Sequence, residues 1–433
     1  MPESLRRRSF FFNMKILQVI PYFYPAWAYG GTPRVVFDLC RELVNQGEQV
    51  TVYTTDTLDK NNRINPESRT PNPGPPSSFF HFDADVEGIK VRYFNNLSNR
   101  LAFTQKLFLT PGFSSLLKDE LRKTDIVHLQ EYRTLQNVSA WKVCKQRGIP
   151  YVLSAHGAML RIMGREKRKG IFDSIWGYNI LRDAKRMIAL TELEKHQYEE
   201  FGIPGEKIEV IPNGIDLTQF DSLPEKGSFR KKYGLEAWPI ILFMGRIHRI
   251  KGVDILIEAF AELKKEVVDC KLVIAGPDDG FKRECGMRIA DCGLKQIDLS
   301  TGEEMGKKEV SRADVIFTGF VSGEEKLSLL VDADVTVLPS RFEIFSLVLF
   351  ESLMCGTPFV VSDICGVAKM IQDTGAGYLF EVDNFADLKE KICRLLRNPE
   401  ERRVIVERGK KMVEKNLNWR IIVQKMLQVY HNC

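Results

Sequence analysis

Two glutamates, Glu343 and Glu351, stand eight positions apart in the segment SRFEIFSLVLFESLMCG. The second lies among Leu, Val, Phe and Met, where a carboxylate is costly to bury unless something hydrogen-bonds it. A ribose diol is a fitting partner, because two hydroxyl donors match the two oxygens of one carboxylate. An arginine in the core is the structural alternative. Glu343, in the loop before the helix, is placed to accept from hydroxyls of a bound sugar. Ser346 is a candidate cap for that helix, whose free N–H groups would then point at a phosphate.

Three further constellations carry chemistry. In MGRIHRIKG, Arg246 and Lys251 are two cations five positions apart, just past an apolar run. Both can reach one diphosphate, and an arginine fork matches phosphate oxygens. Held there, they would stabilise charge building on a departing nucleotide. Gly30 and Gly31 precede a helix that begins near Thr32 and Pro33. Glycines allow close backbone approach to a phosphate, and a helix N-terminus offers unsatisfied N–H groups; a tight turn without a ligand is the plain alternative. In SAHGAM, His156 stands at a strand end with Gly157 beside it, where an imidazole can hydrogen-bond a substrate hydroxyl. Phe23, Tyr24, Trp27 and Tyr29 suit either packing or an acceptor site. The basic loop RIMGREKRKG reads as a solvated surface that anionic head groups could also meet.

The elements that position these residues follow from periodicity. Short apolar runs such as KILQV, IVHLQ, PIILFM, KLVIA and VTVL suit strands buried on both faces. They alternate with helical patterns such as TPRVVFDLCRELVNQ and VDILIEAFAELKKE. The alternation runs through the first half, becomes polar and turn-rich between Leu217 and Trp238, and restarts. Two doubly wound parallel-sheet domains follow, facing a cleft, with ligands outside the strand carboxyl ends. Asp59–Ser78 is rich in Pro, Ser and Asn and holds no regular element. Pro277–Asp314 is long for a connection and reads as an inserted helix and loop. The 433 residues fit two domains. With 62 Lys and Arg against 57 Asp and Glu, the net charge of +5 is too mild for a dedicated nucleic-acid binder. Nine scattered cysteines with no CxxC pair read as buried hydrophobes in a reducing, cytoplasmic compartment. No apolar run approaches the roughly 18–20 residues of a membrane-spanning helix. The start, MPESLRRRSFFFN, lacks a signal-peptide h-region, and Met14 is an alternative start.

Taken together, YGGTPRVVFDLCRELVNQGEQVTVYTT, SAHG, IPNGID, GRIHRIKG and RFEIFSLVLFESLMCGTPFVVSD resemble the retaining glycosyltransferases of the two-Rossmann GT-B fold, family GT4. The resemblance extends over nearly the whole chain from Met14. It implies an N-terminal extension (1–13), an acceptor-binding Rossmann-like domain (14–217), a nucleotide-sugar-binding Rossmann-like domain (218–415) and a last helix (416–433) crossing back to the first domain. It also implies a site. Gly30 and Gly31 lie near the diphosphate and acceptor, and His156 near the donor sugar. Arg246 and Lys251 bind the diphosphate, Glu343 the sugar and Glu351 the ribose. No cofactor or metal is implied, in agreement with the lack of a DxD-like cluster in the cleft segments. One position departs: a glycine commonly follows the first glutamate, and here Ile344 stands there. The backbone N–H groups of Ile344, Phe345 and Ser346 stay available to the donor, but the identity of the sugar is not carried over. The implied partners are a nucleotide sugar and a glycan, lipid-linked or small-molecule acceptor, with peripheral contact at the inner membrane face allowed by the basic loops. A GT-B epimerase and a non-catalytic nucleotide-sugar binder are the competing readings.

Overall fold

A computed structural model describes residues 13–64, 81–161, 166–266, 270–301 and 306–433. The N-terminal extension through residue 12, the loop segment 65–80 and residues 162–165 of the basic loop lie outside the described residues. The chain divides into two compact units, Met1–Gly214 with Trp419–Cys433 (unit 1) and Ile215–Asn418 (unit 2). The polar, turn-rich stretch Leu217–Trp238, which separates the two alternating runs in the sequence, belongs to unit 2, where it forms a 3-10 turn at Leu217–Phe220 and a helix at Ser228–Tyr233.

Unit 1 is built on strands β1 (Lys15–Val19), β2 (Gln49–Thr55), β3 (His81–Val86), β4 (Ile89–Phe94), β5 (Ile126–Gln130), β6 (Tyr151–Ser154), β7 (Arg186–Ala189) and β8 (Ile208–Val210). Among the described residues they form one sheet in the order β3-β4-β2-β1-β5-β6-β7-β8. All neighbours are parallel except the edge pair β3 and β4, an antiparallel hairpin that the sequence reading passed over. Its turn has Glu87 at φ 54° and Gly88 at φ 80°, the backbone a tight hairpin of matching twist demands. Leu17, Val19, Val127, Leu129 and Leu153 enter one apolar cluster. Strand alternation therefore turns Gln18, His128, Gln130 and Ser154 to the other face, where they are 0–2% exposed.

Unit 2 uses β9 (Ile240–Met244), β10 (Lys271–Ala275), β11 (Gln296–Asp298), β12 (Val315–Gly319), β13 (Val335–Leu338), β14 (Phe359–Ser362) and β15 (Tyr378–Phe380). Their order is β11-β12-β10-β9-β13-β14-β15, and each pairing is parallel. The stretch Pro277–Asp314 is not an appended insertion. It holds a helix at Lys282–Asp291, the edge strand β11 paired with β12, and a helix at Lys307–Arg312. Short, polar β11 was illegible because an edge strand needs no apolar run.

In both sheets the connection order reverses beside the first strand of the unit, β1 against β5 and β9 against β13. Loops leaving those neighbours in opposite directions open a crevice at the strand carboxyl ends. The loops after β1, β9 and β13 carry Gly30–Gly31, Arg246–Lys251 and Glu343 respectively. The chain leaves unit 1 at Gly214 and re-enters at Trp419. A Cβ at Gly214 would lie 2.3 Å from the Trp419 ring, so only glycine fits that crossing.

Candidate active site

In unit 2 the loop after β9 lies against the loop after β13, and a glycine permits it. Gly252, at φ 66°, has no room for a side chain: a Cβ would sit 1.9 Å from the Pro339 carbonyl oxygen. Gly276, at φ 143°, meets the Gly245 carbonyl as closely. Arg341 then fastens the two loops. Its amide donates to the Ile250 carbonyl at 2.8 Å, and its guanidinium donates to the Arg249 carbonyl and forks onto Asp254 at 3.0 and 2.8 Å. A further bond reaches Asp383. The His248 Nδ1 accepts from the Ile250 amide and caps the turn that carries Lys251.

The latch delivers Lys251 to Glu343, with Nζ and Oε2 2.5 Å apart and both side chains only 15% exposed. Arg246 stands in the same loop but is about half exposed, donating to Asp279 at 2.5 Å. Glu351 is buried on the helix Leu347–Met354. Its Oε1 accepts from Lys326 at 2.6 Å, so a core cation does pair with it, a lysine rather than an arginine. Its Oε2 is buried and accepts from nothing. Such an orphan is uncommon and calls for an explanation. Ile344 and Phe345 are buried, Phe345 against Phe350 with ring centroids 5.1 Å apart. Ser346 is the first residue before the helix, yet its side chain makes no cap bond, contrary to expectation. The helix start is therefore left with unfilled N–H groups.

In unit 1, Gly30 adopts φ 107° and ψ −148°, a region that is essentially glycine's alone. The helix Gly31–Asn45 starts at Gly31, and a Cβ added to either glycine would meet only open space. Tyr24 and Trp27 pack on Phe37 and are committed to the fold. Tyr22 and Tyr29 stack with centroids 4.6 Å apart. The Tyr22 hydroxyl donates to Glu131 at 2.5 Å. Glu131, first residue beyond β5 and at φ 67°, was missed from the sequence. Burial pushes its carboxyl up, opposed by bonds from Tyr22 and Thr32 and by the charge of Lys106. Its only sequence signal was its place at the end of a strand beside the reversal of the sheet.

His156 is also in the left-handed region, at φ 52°. Its Nε2 lies 2.6 Å from Gln130 Oε1, and burial lowers its pKa to about 4, so it is neutral near pH 7. Two neighbours hold its loop. Glu194 accepts from the amides of Gly157 and Leu190 at 2.6 and 2.7 Å. Arg133 donates to the carbonyls of Ala158 and Met159 while paired with fully buried Asp173. Among the described residues no group of three or more His, Cys, Asp or Glu is placed to hold a metal ion. No described helix is long and apolar enough to cross a membrane.

The profile described as Glycosyltransferase Family 4 matches residues 29–219, and that described as Glycosyl transferases group 1 matches 225–412. The chain belongs to the GT4-type glycosyltransferases. An uncharacterized glycosyltransferase of Methanocaldococcus jannaschii is 28% identical over 80% of this chain and 85% of its own length. The D-inositol 3-phosphate glycosyltransferase of Saccharomonospora viridis is 25% identical over 77% and 74%. Among solved structures, Anabaena HepE in complex with UDP and glucose superposes with a TM-score of 0.70 at 16% identity, covering 97% of this chain and all of that one. That likeness establishes the GT-B architecture of this glycosyltransferase.

Proposed function

We propose that this glycosyltransferase moves a sugar from a nucleotide-diphosphate donor to an acceptor hydroxyl with retention at the anomeric carbon. The observation that carries the reading is the rim of unit 2, where Lys251 and Glu343 are locked together while Glu351 keeps one buried oxygen unfilled. A ribose hydroxyl donating to Glu351 Oε2 removes that deficit. Arg246 and Lys251 take the diphosphate, and Glu343 and His156 accept from hydroxyls of the sugar. The N–H groups of Ile344, Phe345 and Ser346 face the phosphates with the helix dipole behind them. As the glycosidic bond stretches, negative charge collects on the leaving diphosphate, where the two cations stabilise it. The leaving phosphate oxygen takes the acceptor proton on the same face, so no protein base is required and neither metal nor cofactor enters the scheme.

The acceptor side falls to Gly30, Gly31, the Tyr22–Tyr29 pair and Glu131. A glycan, a lipid-linked glycan or a small polyol suits these groups, and relatives named for D-inositol 3-phosphate support the last. The setting we favour is cytoplasmic polysaccharide or lipid-linked glycan synthesis. Lys167, Arg168 and Lys169 beside exposed Ile171 and Ile175 support peripheral contact with an anionic membrane.

The test is donor consumption with and without acceptor, preceded by a thermal-shift panel of UDP-, GDP- and ADP-linked hexoses. A donor that binds the folded chain raises its apparent stability with saturation. Acceptor-dependent release of nucleoside diphosphate and an α-linked product from an α-linked donor support the reading. An isomerised sugar nucleotide formed without acceptor makes the chain an epimerase, and binding without turnover makes it a sensor; either ends the proposal.

A further inference from the structure

The face of the unit 1 sheet opposite its apolar cluster carries five hydrogen bonds in series. His156 Nε2 meets Gln130 Oε1 at 2.6 Å, and Gln130 Nε2 meets Gln18 Oε1 at 2.8 Å. Gln18 Nε2 meets the Tyr430 hydroxyl at 3.4 Å, which meets His128 Nδ1 at 2.7 Å. His128 Nε2 meets Ser154 Oγ at 2.8 Å. Gln18, Gln130 and His128 are fully buried, and Ser154 and Tyr430 are 2% exposed. Strands β1, β5 and β6 supply four of the six members, and His156 stands two residues beyond the end of β6. Tyr430 comes from the helix Trp419–His431, some 300 residues later in the chain.

Every member is neutral. Burial lowers His128 to about 3 and His156 to about 4, and pushes the Tyr430 phenol well above its ordinary range. A neutral imidazole carries its proton on one nitrogen only, and the bond at that nitrogen decides which. A buried amide must pair its N–H with an acceptor and its oxygen with a donor. The series therefore has one direction or its reverse: an inverted amide sets two donors or two acceptors face to face, and an inverted His128 leaves the Tyr430 hydroxyl proton without an acceptor in the series. The amide orientations, Gln130 Nε2 donating to Gln18 and Gln18 Nε2 to Tyr430, select the direction in which His156 donates to Gln130, Tyr430 to His128 Nδ1, and His128 to Ser154.

We infer that Tyr430 of the C-terminal helix, acting through Gln18 and Gln130, is a positioning residue that fixes His156 as the Nε2–H tautomer and leaves Nδ1 as its bare acceptor nitrogen. The inference deepens the functional reading above, in which His156 accepts from a sugar hydroxyl. It also couples the two histidines: both carry the proton on Nε2. The hydroxyl of Tyr430 is the only member able to pass the direction from Gln18 to His128.

The test is 15N NMR of the full chain labelled in histidine, with His156 and His128 assigned by His156→Gln and His128→Gln. In the wild-type chain both rings give the Nε2–H pattern. In Tyr430→Phe the direction is no longer imposed, and His156 shows a mixture of the two tautomers. In Tyr430→Phe/Gln130→Glu the carboxylate accepts unconditionally, so His156 returns to protonation at Nε2 with its titration moved to higher pH. With a competent donor and acceptor, Tyr430→Phe lowers kcat about tenfold, the lower end of the range for groups that orient a metal-bound histidine, while nucleotide affinity is unchanged and the double variant recovers part of the loss. An Nδ1–H pattern for His156 in the wild-type chain overturns the inference. So does an identical tautomer in wild type and Tyr430→Phe. Should Tyr430→Phe fail to fold, Gln18→Leu cuts the same series one step closer and is read in the same way. The tautomer measurement needs no substrate, so it stands if the chain proves not to transfer sugar. Loss of transfer with the tautomers as stated counts only against the functional reading.

Discussion

The rim of unit 2 and the series bonded to His156 in unit 1 hold polar groups out of water by opposite means. Unit 2 does it with ions: Lys251 against Glu343, Lys326 against Glu351, Arg246 against Asp279. Each charge is neutralised at home, which limits the cost of desolvation before any ligand arrives. A diphosphate can then draw Arg246 from Asp279 at little expense, since both are nearly half exposed and such a pair is worth about 1 kcal/mol or less. The members bonded in series to His156 are instead all neutral, and what they store is direction rather than charge. Ionic pairs suit recognition of a charged nucleotide. A neutral series suits holding one hydrogen-bonding pattern toward an uncharged sugar.

That contrast is most sharply broken at Lys251. Replacing it by alanine leaves Glu343 without its lysine and removes the cation proposed for the diphosphate, and turnover should fall about 100- to 1,000-fold, as when one preorganised charge-stabilising donor is lost. Steady-state rates at saturating donor check this; a rate within threefold of wild type would remove the electrostatic role. Next in size is an effect of pH on unit 1. Burial lifts Glu194 from 4.5 to about 7. Between those values the folded chain holds one proton more at this site than the unfolded chain. The contribution to stability is thus complete below pH 4.5 and is lost as pH rises through 7, an amount of about 3 kcal/mol. Glu194→Gln deletes this decline. The unfolding free energy of the variant relative to wild type should climb by about that amount from pH 4.5 to 7.5 in denaturant melts.

How far these regions were legible follows the same division. The apolar strands and the loops bearing Arg246, Lys251 and Glu343 were readable because buried parallel strands are continuous apolar runs and their ends are known places for ligands. Glu351 was readable because a carboxylate in an apolar helix is out of place. Arg341 was not, although it fastens both loops, because an arginine two positions before a motif glutamate looks like any surface cation until Asp254 and the Ile250 carbonyl fold against it. Glu131 and Gln130 were hidden for a related reason. Their value comes from strand neighbours 20 to 110 residues away and from Tyr430, and no local period encodes a partner in another segment. The hairpin β3–β4 was legible in its alternation, HFDADV then IKVRYF, and was overlooked beside the stronger apolar runs.

The smaller effects sharpen the ionic side. Glu351→Gln keeps an oxygen for Lys326 but sets an N–H₂ where the orphan Oε2 stood, so a ribose hydroxyl loses its acceptor. Calorimetry with UDP, GDP and ADP should find the preferred nucleotide about tenfold weaker, about 1.4 kcal/mol, with kcat at saturation little changed. Unaltered affinity would separate Glu351 from the nucleotide and leave its empty oxygen unexplained.

Smallest of all should be Ser346→Ala. A serine that caps a helix usually contributes about 1 kcal/mol, through its hydroxyl accepting a backbone N–H. Here the hydroxyl makes no such bond, and alanine retains the amide assigned to the phosphate. Stability should stay within about 0.5 kcal/mol and nucleotide affinity within twofold. A tenfold loss of affinity with stability intact would mean that the hydroxyl itself reaches the diphosphate. The rim would then recognise phosphate by a side chain as well as by backbone and charge, and its difference from the neutral series of unit 1 would narrow accordingly.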